Sequence, residues 1–186
     1  MISGLTEKDK TDLPFVVQHA DMVNASFVNS PTDVSELLDE LRRLKASEKF
    51  GVILKIETQK AYQHLTGILL EAMKAAPIGV MIARGDLAIE TGWDNIGRIQ
   101  KEILKLCNAA HVPVIWATQV LENLAKKGLP SRSEITDVTT SLQADVVMLN
   151  KGPHILNAIE LLDKILNKME GFQHKNAPML PPIKSE

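Results

Sequence analysis

Cysteine, aromatic residues and long apolar runs are all scarce in this 186-residue sequence, and each shortage excludes a class of protein. The single Cys107 has no partner within the chain for a disulfide bond, which favours a reducing compartment, and we expect the cytoplasm. No apolar run approaches the roughly 18 residues of a transmembrane helix, and no signal peptide follows Met1. Aromatic residues make up 4% of the chain, too few for a base-stacking platform.

An excess of charge of either sign is also lacking. Lys and Arg total 21 against 23 for Asp and Glu, so the formal net charge is -2. Proteins that bind the phosphates of nucleic acid usually carry a clear basic excess, so neither nucleic acid nor a membrane surface is an expected partner. The apolar fraction of 45% is typical of a globular domain with a sizeable core.

Short β-branched runs alternate with longer segments of helical period, which predicts βα units around a parallel sheet. The predicted strands begin about 30 residues apart, the length of a strand with its crossover helix, and they are 21–28, 52–57, 79–83, 112–118 and 144–149. The predicted helices are 30–44, 59–75, 93–110, 133–142 and 155–169, with a short extra helix at 121–126.

Two kinds of parallel sheet fit this pattern, an open doubly wound sheet and a (β/α)8 barrel. The GxGxxG turn of dinucleotide-binding sheets does not occur in the sequence. A complete barrel needs about 250 residues, so this chain would form only part of one. A partial barrel exposes two strand edges and its inward face, which predicts a homo-oligomer, a separate partner or the missing barrel half as its cover.

Polar side chains follow the predicted strands at the edge where ligands bind in both folds. Lys55 and Glu57 alternate with apolar neighbours and therefore share one side of the second strand, and Asp86 follows the third. Two carboxylates at neighbouring strand ends suit Mg²⁺ or Mn²⁺, and a lysine beside them would stabilise an enolate or a transferring phosphoryl group. The turn at Arg84 and Gly85 opens a short helix whose N–H groups could take a carboxylate or a phosphate.

Each of these features also has a purely structural interpretation. A Lys and a Glu two residues apart are commonly a solvated ion pair, and Ser26, Thr118 and Asn150 suit backbone hydrogen bonds at strand ends. Their coincidence at successive strand ends is what favours a metal-assisted anion site. Zinc and P-loop nucleotide sites are not expected, since HExxH, a second cysteine and GxxxxGK[ST] do not occur. Four methionines are interpreted as packing residues: Met22, Met73, Met81 and Met148.

Several segments match a known family in order and spacing, namely 5–9 (LTEKD), 21–28 (DMVNASFV), 54–57 (LKIE), 80–87 (VMIARGDL) and 113–122 (PVIWATQVLE). They closely resemble pyruvate kinase, and 130–134 (PSRSE) and 144–149 (ADVVML) extend the likeness toward residue 170. In that family these segments are the fourth to eighth strands of the catalytic barrel. The resemblance implies an α/β fold of parallel (β/α) units, roughly the last five of a (β/α)8 TIM barrel, over residues 1–176. The prolines after residue 177 predict an irregular tail at 177–186.

The resemblance implies metal ligands and a reaction. Glu57 and Asp86 would ligate Mg²⁺ or Mn²⁺, and Lys55 would be catalytic, stabilising the transferring phosphoryl group and the enolate of pyruvate. The implied reaction is phosphoryl transfer from phosphoenolpyruvate to ADP in glycolysis, giving pyruvate and ATP, with Mg²⁺ and usually K⁺. The family's K⁺ ligands lie on the first three strands and have no counterpart in this chain.

The resemblance also implies a substrate site. The backbone of Ala83, Arg84, Gly85 and Asp86 would hold the substrate carboxylate. Thr118 would contact the substrate and act catalytically, near the carbon that becomes protonated.

Two departures from the family pattern weaken the catalytic expectation. Asn150 to Pro153 stand where the family has Ser-Gly-Glu-Thr-Ala, which removes a hydroxyl and a carboxylate, and Ala88 replaces a glycine. We therefore expect a pyruvate kinase-like domain with little or no activity alone. The alternatives are a non-catalytic assembly or binding module, and a Mg²⁺-dependent lyase or aldolase acting on pyruvate-like acids.

Overall fold

The computed structural model describes residues 4–75 and 77–176, which form an α/β fold around one five-stranded sheet. The strands lie in sequential order and are β1 (Met22–Ala25), β2 (Gly51–Ile56), β3 (Ile78–Ala83), β4 (Val114–Val120) and β5 (Val146–Leu149). The helices are α1 (Glu7–His19), α2 (Pro31–Arg43), α3 (Gln59–Gln63), α4 (Leu65–Ala72), α5 (Arg84–Thr91), α6 (Ile96–Ala109), α7 (Glu122–Lys127), α8 (Arg132–Ser141) and α9 (Ile155–Asn176). The parallel sheet of a partial barrel is thus confirmed.

Two compact units make up the chain. The first runs to Gln119 and includes Gln143–Met148, so it contains most of the sheet and helices α1 to α6. The second comprises Val120–Leu142 and the chain from Leu149, with helices α7, α8 and α9. The candidate catalytic, substrate-binding and metal-binding residues all belong to the first unit, namely Lys55, Glu57, Ala83, Arg84, Gly85, Asp86 and Thr118.

The core of the first unit lies between the sheet and helices α2 to α6. Strand residues at every second position face it and are almost fully buried, among them Leu54, Ile56, Ile82 and Trp116. Helix α2 contributes a stripe that is no more than 7% exposed, made of Val34, Leu37, Leu38 and Leu41. Burial of each such side chain contributes about 1.5–3 kcal/mol, so this layer holds the sheet in place.

The opposite, inward face of the sheet is only partly covered. The register pairs Asn24 with Ile53 and Lys55 with Met81, which places these side chains on the face away from the helices. Asn24 is exposed, and Ile53 and Lys55 are half-buried. Lys55, the candidate site residue within β2, therefore projects from a half-open face.

The second unit is held together at both ends of α7. Glu134, which is 7% exposed, accepts hydrogen bonds from the backbone nitrogens of Ser131 at 2.7 Å and Asn123 at 2.6 Å. Burial raises the pKa of Glu134, but these hydrogen bonds outweigh it and hold the pKa below its usual value. At the other end, a Cβ on Gly152 would lie 2.2 Å from the carbonyl oxygen of Ala125, so this position requires glycine.

The element boundaries differ from the predicted ones where the backbone turns sharply. The first strand was expected over 21–28 but ends at Ala25, and the backbone turns at Phe27, whose φ of 54° lies outside the extended range. The helix expected over 59–75 divides at His64 into α3 and α4. Helix α1 was not predicted, although Thr6 and Asp9 form a capping box at its start.

The packing interpretation of the methionines is correct for only one of the four. Met81 is 6% exposed, whereas Met22, Met73 and Met148 are 55%, 51% and 39% exposed. Cys107, by contrast, is fully buried in α6, and burial, with a smaller contribution from Asp145, raises its pKa to about 12.

Among the described residues, no helix is both long and apolar enough to cross a membrane. The predicted Pro-rich tail at 177–186 lies outside the described residues.

Candidate active site

The carboxyl ends of β2, β3 and β4 bring the predicted site residues to one edge of the sheet. Ile56 pairs with Ile82 and Ile82 with Trp116, so Glu57, Ala83 and Ala117 follow at the same level. This placement agrees with the rule that parallel sheets bind ligands at the carboxyl ends of their strands.

Glu57 is the most unusual group at this edge. It is 1% exposed, although carboxylates are almost never buried without a partner. Its Oε2 lies 2.8 Å from the Nζ of Lys55, close enough for an ion pair, yet no described residue donates a hydrogen bond of good geometry to that oxygen. The charge is therefore partly neutralised, while the hydrogen-bonding capacity of the oxygen is not fully used.

Lys55 is held between two strands. Its Nζ donates a hydrogen bond to the Oγ of Ser26 at 2.9 Å, just beyond β1, as well as contacting Glu57 on its own side of β2. The side chain is 24% exposed, so its ammonium group reaches the half-open face. An ammonium held in this way can interact with an anion on that face and keep its contacts with Ser26 and Glu57.

The buried oxygen of Glu57 fits a divalent cation in chemistry, because a hard cation takes oxygen ligands and this oxygen receives no hydrogen bond of good geometry from the described residues. No group of three or more Asp, Glu, His and Cys side chains that could hold a metal occurs among the described residues. A cation here would therefore draw further ligands from water or substrate, as Mg²⁺ commonly does. It would also have to share Oε2 with Lys55 or displace it.

Asp86 lies in the first turn of α5 and is exposed. Glu57 follows β2 and Asp86 follows β3, so both carboxylates lie at the carboxyl-end edge of the sheet. The neighbouring Gly85 is half-buried, and a Cβ there would meet the Thr118 side chain only at ordinary contact distance, 3.8 Å. The described neighbours of Gly85 alone do not demand glycine.

Thr118 and the turn after β3 are directly joined. The backbone nitrogen of Gly85 donates to the Oγ1 of Thr118 at 3.0 Å, so the predicted carboxylate-binding backbone and the predicted catalytic hydroxyl contact each other. Arg84 reaches the same place: its Nε donates to the carbonyl oxygen of Ala117 at 2.8 Å and its Nη2 to that of Thr118. The guanidinium carbon lies 4.4 Å from the ring centroid of Trp116.

Sequence reasoning missed three features of this site. It considered an ion pair of Lys55 and Glu57 but expected it to be solvated, whereas Glu57 is 1% exposed, and it gave Ser26 a backbone hydrogen bond where the structure has one from Lys55. It read Arg84 as part of a backbone site and did not foresee its side-chain bonds. The available signal was that Ser26, Lys55 and Thr118 all lie near the carboxyl ends of predicted strands. Which of these side chains are in contact can be determined only when the strand register is known.

A family model described as the pyruvate kinase barrel domain matches residues 1–153 of this chain. Among curated relatives, pyruvate kinase of Bacillus licheniformis is 34% identical over 182 residues, which cover 94% of this chain and 30% of that protein. The protein of Thermotoga maritima is 35% identical over 176 residues, covering 91% and 36%, and that of Hypocrea jecorina is 40% identical over 152 residues, covering 80% and 27%. The chain thus spans about a third of the length of the curated relatives that it matches.

Proposed function

The chain belongs to the pyruvate kinase family, and from that premise we propose that its strand ends supply part of a site for phosphoryl transfer between phosphoenolpyruvate and ADP. The observation that carries the proposal is Glu57, a buried carboxylate that contacts the ammonium of Lys55 but receives no hydrogen bond of good geometry at Oε2 from the described residues. A buried ion pair of this kind is costly to the stability of the fold unless it also serves in binding. Binding of a cation by Glu57 and of an anion by Lys55 is the role that fits.

In this proposal the chain binds and orients, and its charges act on the substrate. Glu57 and Asp86 hold Mg²⁺ or Mn²⁺, which when bound would neutralise charge on substrate oxygens. Lys55 faces the phosphoryl group and the enolate oxygen from the half-open side of the sheet. The backbone amides at the start of α5 hold the substrate carboxylate. The hydroxyl of Thr118 lies near the carbon that becomes protonated.

We propose that the described chain has little or no activity alone. Phosphoryl transfer depends almost entirely on positioning and charge neutralisation. The inward face of the sheet is half-open at Ile53 and Lys55 and exposes Asn24, so groups that would close the site around the substrate are not supplied from this face. A second copy or the rest of a barrel would have to cover this inward face. In this proposal that cover also supplies the ligands of K⁺.

The proposal is tested by measuring binding and turnover on the same protein. We expect the 186-residue chain to bind Mn²⁺ weakly by electron paramagnetic resonance, and Glu57→Gln to abolish that binding. Glu71→Gln is the matched control, because it removes another ion-paired carboxylate of the first unit away from the strand ends. Equal binding by wild type and Glu57→Gln would contradict the proposed metal site.

Turnover is followed with a coupled lactate dehydrogenase assay in which phosphoenolpyruvate and ADP are the substrates. Kinases typically turn over about 1–100 times per second, and we expect the chain alone to fall far below that range. Turnover within the range would contradict the proposed inactivity of the chain alone.

The two alternative functions give different results in one further experiment. A Mg²⁺-dependent lyase or aldolase would exchange the methyl protons of pyruvate with solvent, which proton NMR detects with and without Mg²⁺. A non-catalytic module would show neither exchange nor a loss of function in Glu57→Gln. The departure at Asn150 to Pro153 is the sequence feature that favours the module.

A further inference from the structure

The end of β4 adopts a backbone conformation that its residues disfavour. Thr118 has a φ of 67° and Gln119 a φ of 58°, both in the left-handed region. A β-branched residue such as threonine is a rare occupant of that region, because its Cβ substituents crowd the backbone. Two successive residues in this conformation persist only where surrounding contacts compensate for them.

Arg84 supplies such contacts from the neighbouring strand end. Its Nε donates to the carbonyl oxygen of Ala117 and its Nη2 to that of Thr118, so one planar group binds both carbonyls that flank the turn. The guanidinium carbon lies over the ring of Trp116, 4.4 Å from its centroid. Trp116 is fully buried, so this cation–π contact holds the guanidinium against a rigid support.

The same arginine holds the turn from its own backbone side. Gly85, the next residue, donates its backbone N–H to the hydroxyl of Thr118 at 3.0 Å. The side chain of Arg84 and the amide of Gly85 therefore bind the end of β4 at adjacent points. Moving Thr118 out of its conformation would break all of these hydrogen bonds together.

We infer that Arg84 is a positioning residue whose guanidinium holds Thr118 in the left-handed conformation that brings its hydroxyl to the amide of Gly85. The guanidinium binds carbonyl oxygens and contacts Trp116, so we infer that it acts on a bound anion through Thr118 and Gly85. The positioning itself is independent of the proposed function, whereas its consequence for a substrate carboxylate rests on that function.

The inference requires the fork of arginine and not only its charge. Five N–H donors in a fixed plane can bind two carbonyls and stack on an aromatic ring, whereas the single ammonium of lysine cannot do all three. Arg84→Lys should therefore loosen the turn in part, and Arg84→Met should loosen it fully. Arg98→Met is the matched control, since Arg98 is an exposed arginine of the same unit, paired with Glu102 on α6.

The test is amide hydrogen exchange measured by nitrogen-15 NMR on the 186-residue chain. In Arg84→Met we expect the Gly85 amide to exchange at least tenfold faster than in wild type, with Leu54 and Ile82 in the sheet unchanged within twofold. Arg84→Lys should give an intermediate rate, and Arg98→Met the wild-type rate. An unchanged Gly85 rate would overturn the inference, and so would an equal acceleration at Leu54 and Ile82, which indicates a general loss of stability.

A second measurement connects the turn to the proposed function. Oxalate, a planar dicarboxylate that resembles the enolate of pyruvate, is titrated in the presence of Mn²⁺, and we expect at least fivefold weaker binding to Arg84→Met. Equal affinity in both proteins would overturn the role of Arg84 in the anion site. If wild type does not bind oxalate while Gly85 still responds to the substitution, the proposed function fails and the positioning role of Arg84 stands.

Discussion

Lys55→Met should destabilise the first unit far more than removal of an ordinary surface ion pair. The Nζ of Lys55 and the Oε2 of Glu57 are 2.8 Å apart, and Glu57 is 1% exposed. At an effective dielectric constant of about 20 their gross attraction is about 6 kcal/mol, most of which offsets the cost of burying the carboxylate. Removing the lysine leaves that cost uncompensated, and breaking a buried pair in this way typically costs about 3–5 kcal/mol.

Because Lys55 keeps 24% of its side chain in solvent, we expect a loss near the lower limit, about 3 kcal/mol. The double variant Lys55→Met/Glu57→Gln should lose less than the sum of the single losses, with a coupling of about 1–3 kcal/mol. The matched control is Lys74→Met, whose partner Glu71 lies 2.6 Å away but whose own side chain is 62% exposed. Pairs of that kind contribute about 0–1 kcal/mol.

The assay is urea unfolding followed by tryptophan fluorescence, which reports the first unit because both Trp93 and Trp116 lie in it. If Lys55→Met and Lys74→Met cost the same, or if the two substitutions at Lys55 and Glu57 are additive, the ion pair is not what keeps Glu57 in the core. Mn²⁺ gives an independent check, since removal of the competing ammonium should make added Mn²⁺ stabilise Lys55→Met more than wild type.

Three further predictions concern groups away from the strand ends. Glu134→Gln should destabilise the second unit by about 1.5–3 kcal/mol at pH 7, because hydrogen bonds to a charged acceptor are lost. Since the folded pKa of Glu134 lies below 4.5, the stability that its carboxylate contributes is complete above that pH and is lost as the pH falls through the folded pKa. Urea unfolding at pH 7, 5 and 3 should therefore show the difference in stability between variant and wild type shrinking, and a constant difference would contradict the prediction. Cys107, fully buried with a pKa of about 12, should not react with a thiol reagent at pH 8 until the chain is unfolded, and rapid labelling of the native protein would show that α6 opens. Gly152→Ala should lower the melting temperature of the second unit, because the new Cβ would meet the carbonyl oxygen of Ala125 at 2.2 Å, and an unchanged melting curve would mean that the loop moves aside at no cost.

The order of strands and helices could be predicted because it depends on periodicity, which the sequence displays directly. Helix α2 begins after Ser30, whose side chain accepts from the amide of Asp33, and the apolar residues that recur at helical spacing along it are buried. The strand limits could not be predicted as well, since they depend on backbone angles together with the available strand partners. The backbone turns at Phe27 with a φ of 54°, two residues after the end of β1, and no local signal distinguishes this phenylalanine from one that continues a strand.

The residues that share the candidate site could be predicted from the sequence, but the contacts between their side chains could not. The alternation of side chains around Ile56 places Lys55 and Glu57 on one face, and the strand order brings Thr118 to the same edge. What each side chain contacts depends on register and rotamer, which set the ion pair of Lys55 and the hydrogen bonds of Arg84. The exposure of Met22 was unpredictable for a related reason, because burial on the inward face depends on what covers the sheet and not on the residue itself.

The two faces of the sheet determine how strongly its strand-end charges can act. The helix-covered face is dry, with Leu54, Ile56 and Ile82 fully buried, and it fixes the backbone from which Lys55 and Glu57 project. On the inward face Lys55 is 24% exposed, so its charge is screened by water that a closed site would exclude. Preorganised charges stabilise developing negative charge far more in a water-excluded site than in solvent. Covering the inward face would therefore strengthen the existing charges as well as add new groups, so a cover without catalytic residues should still tighten anion binding at Lys55.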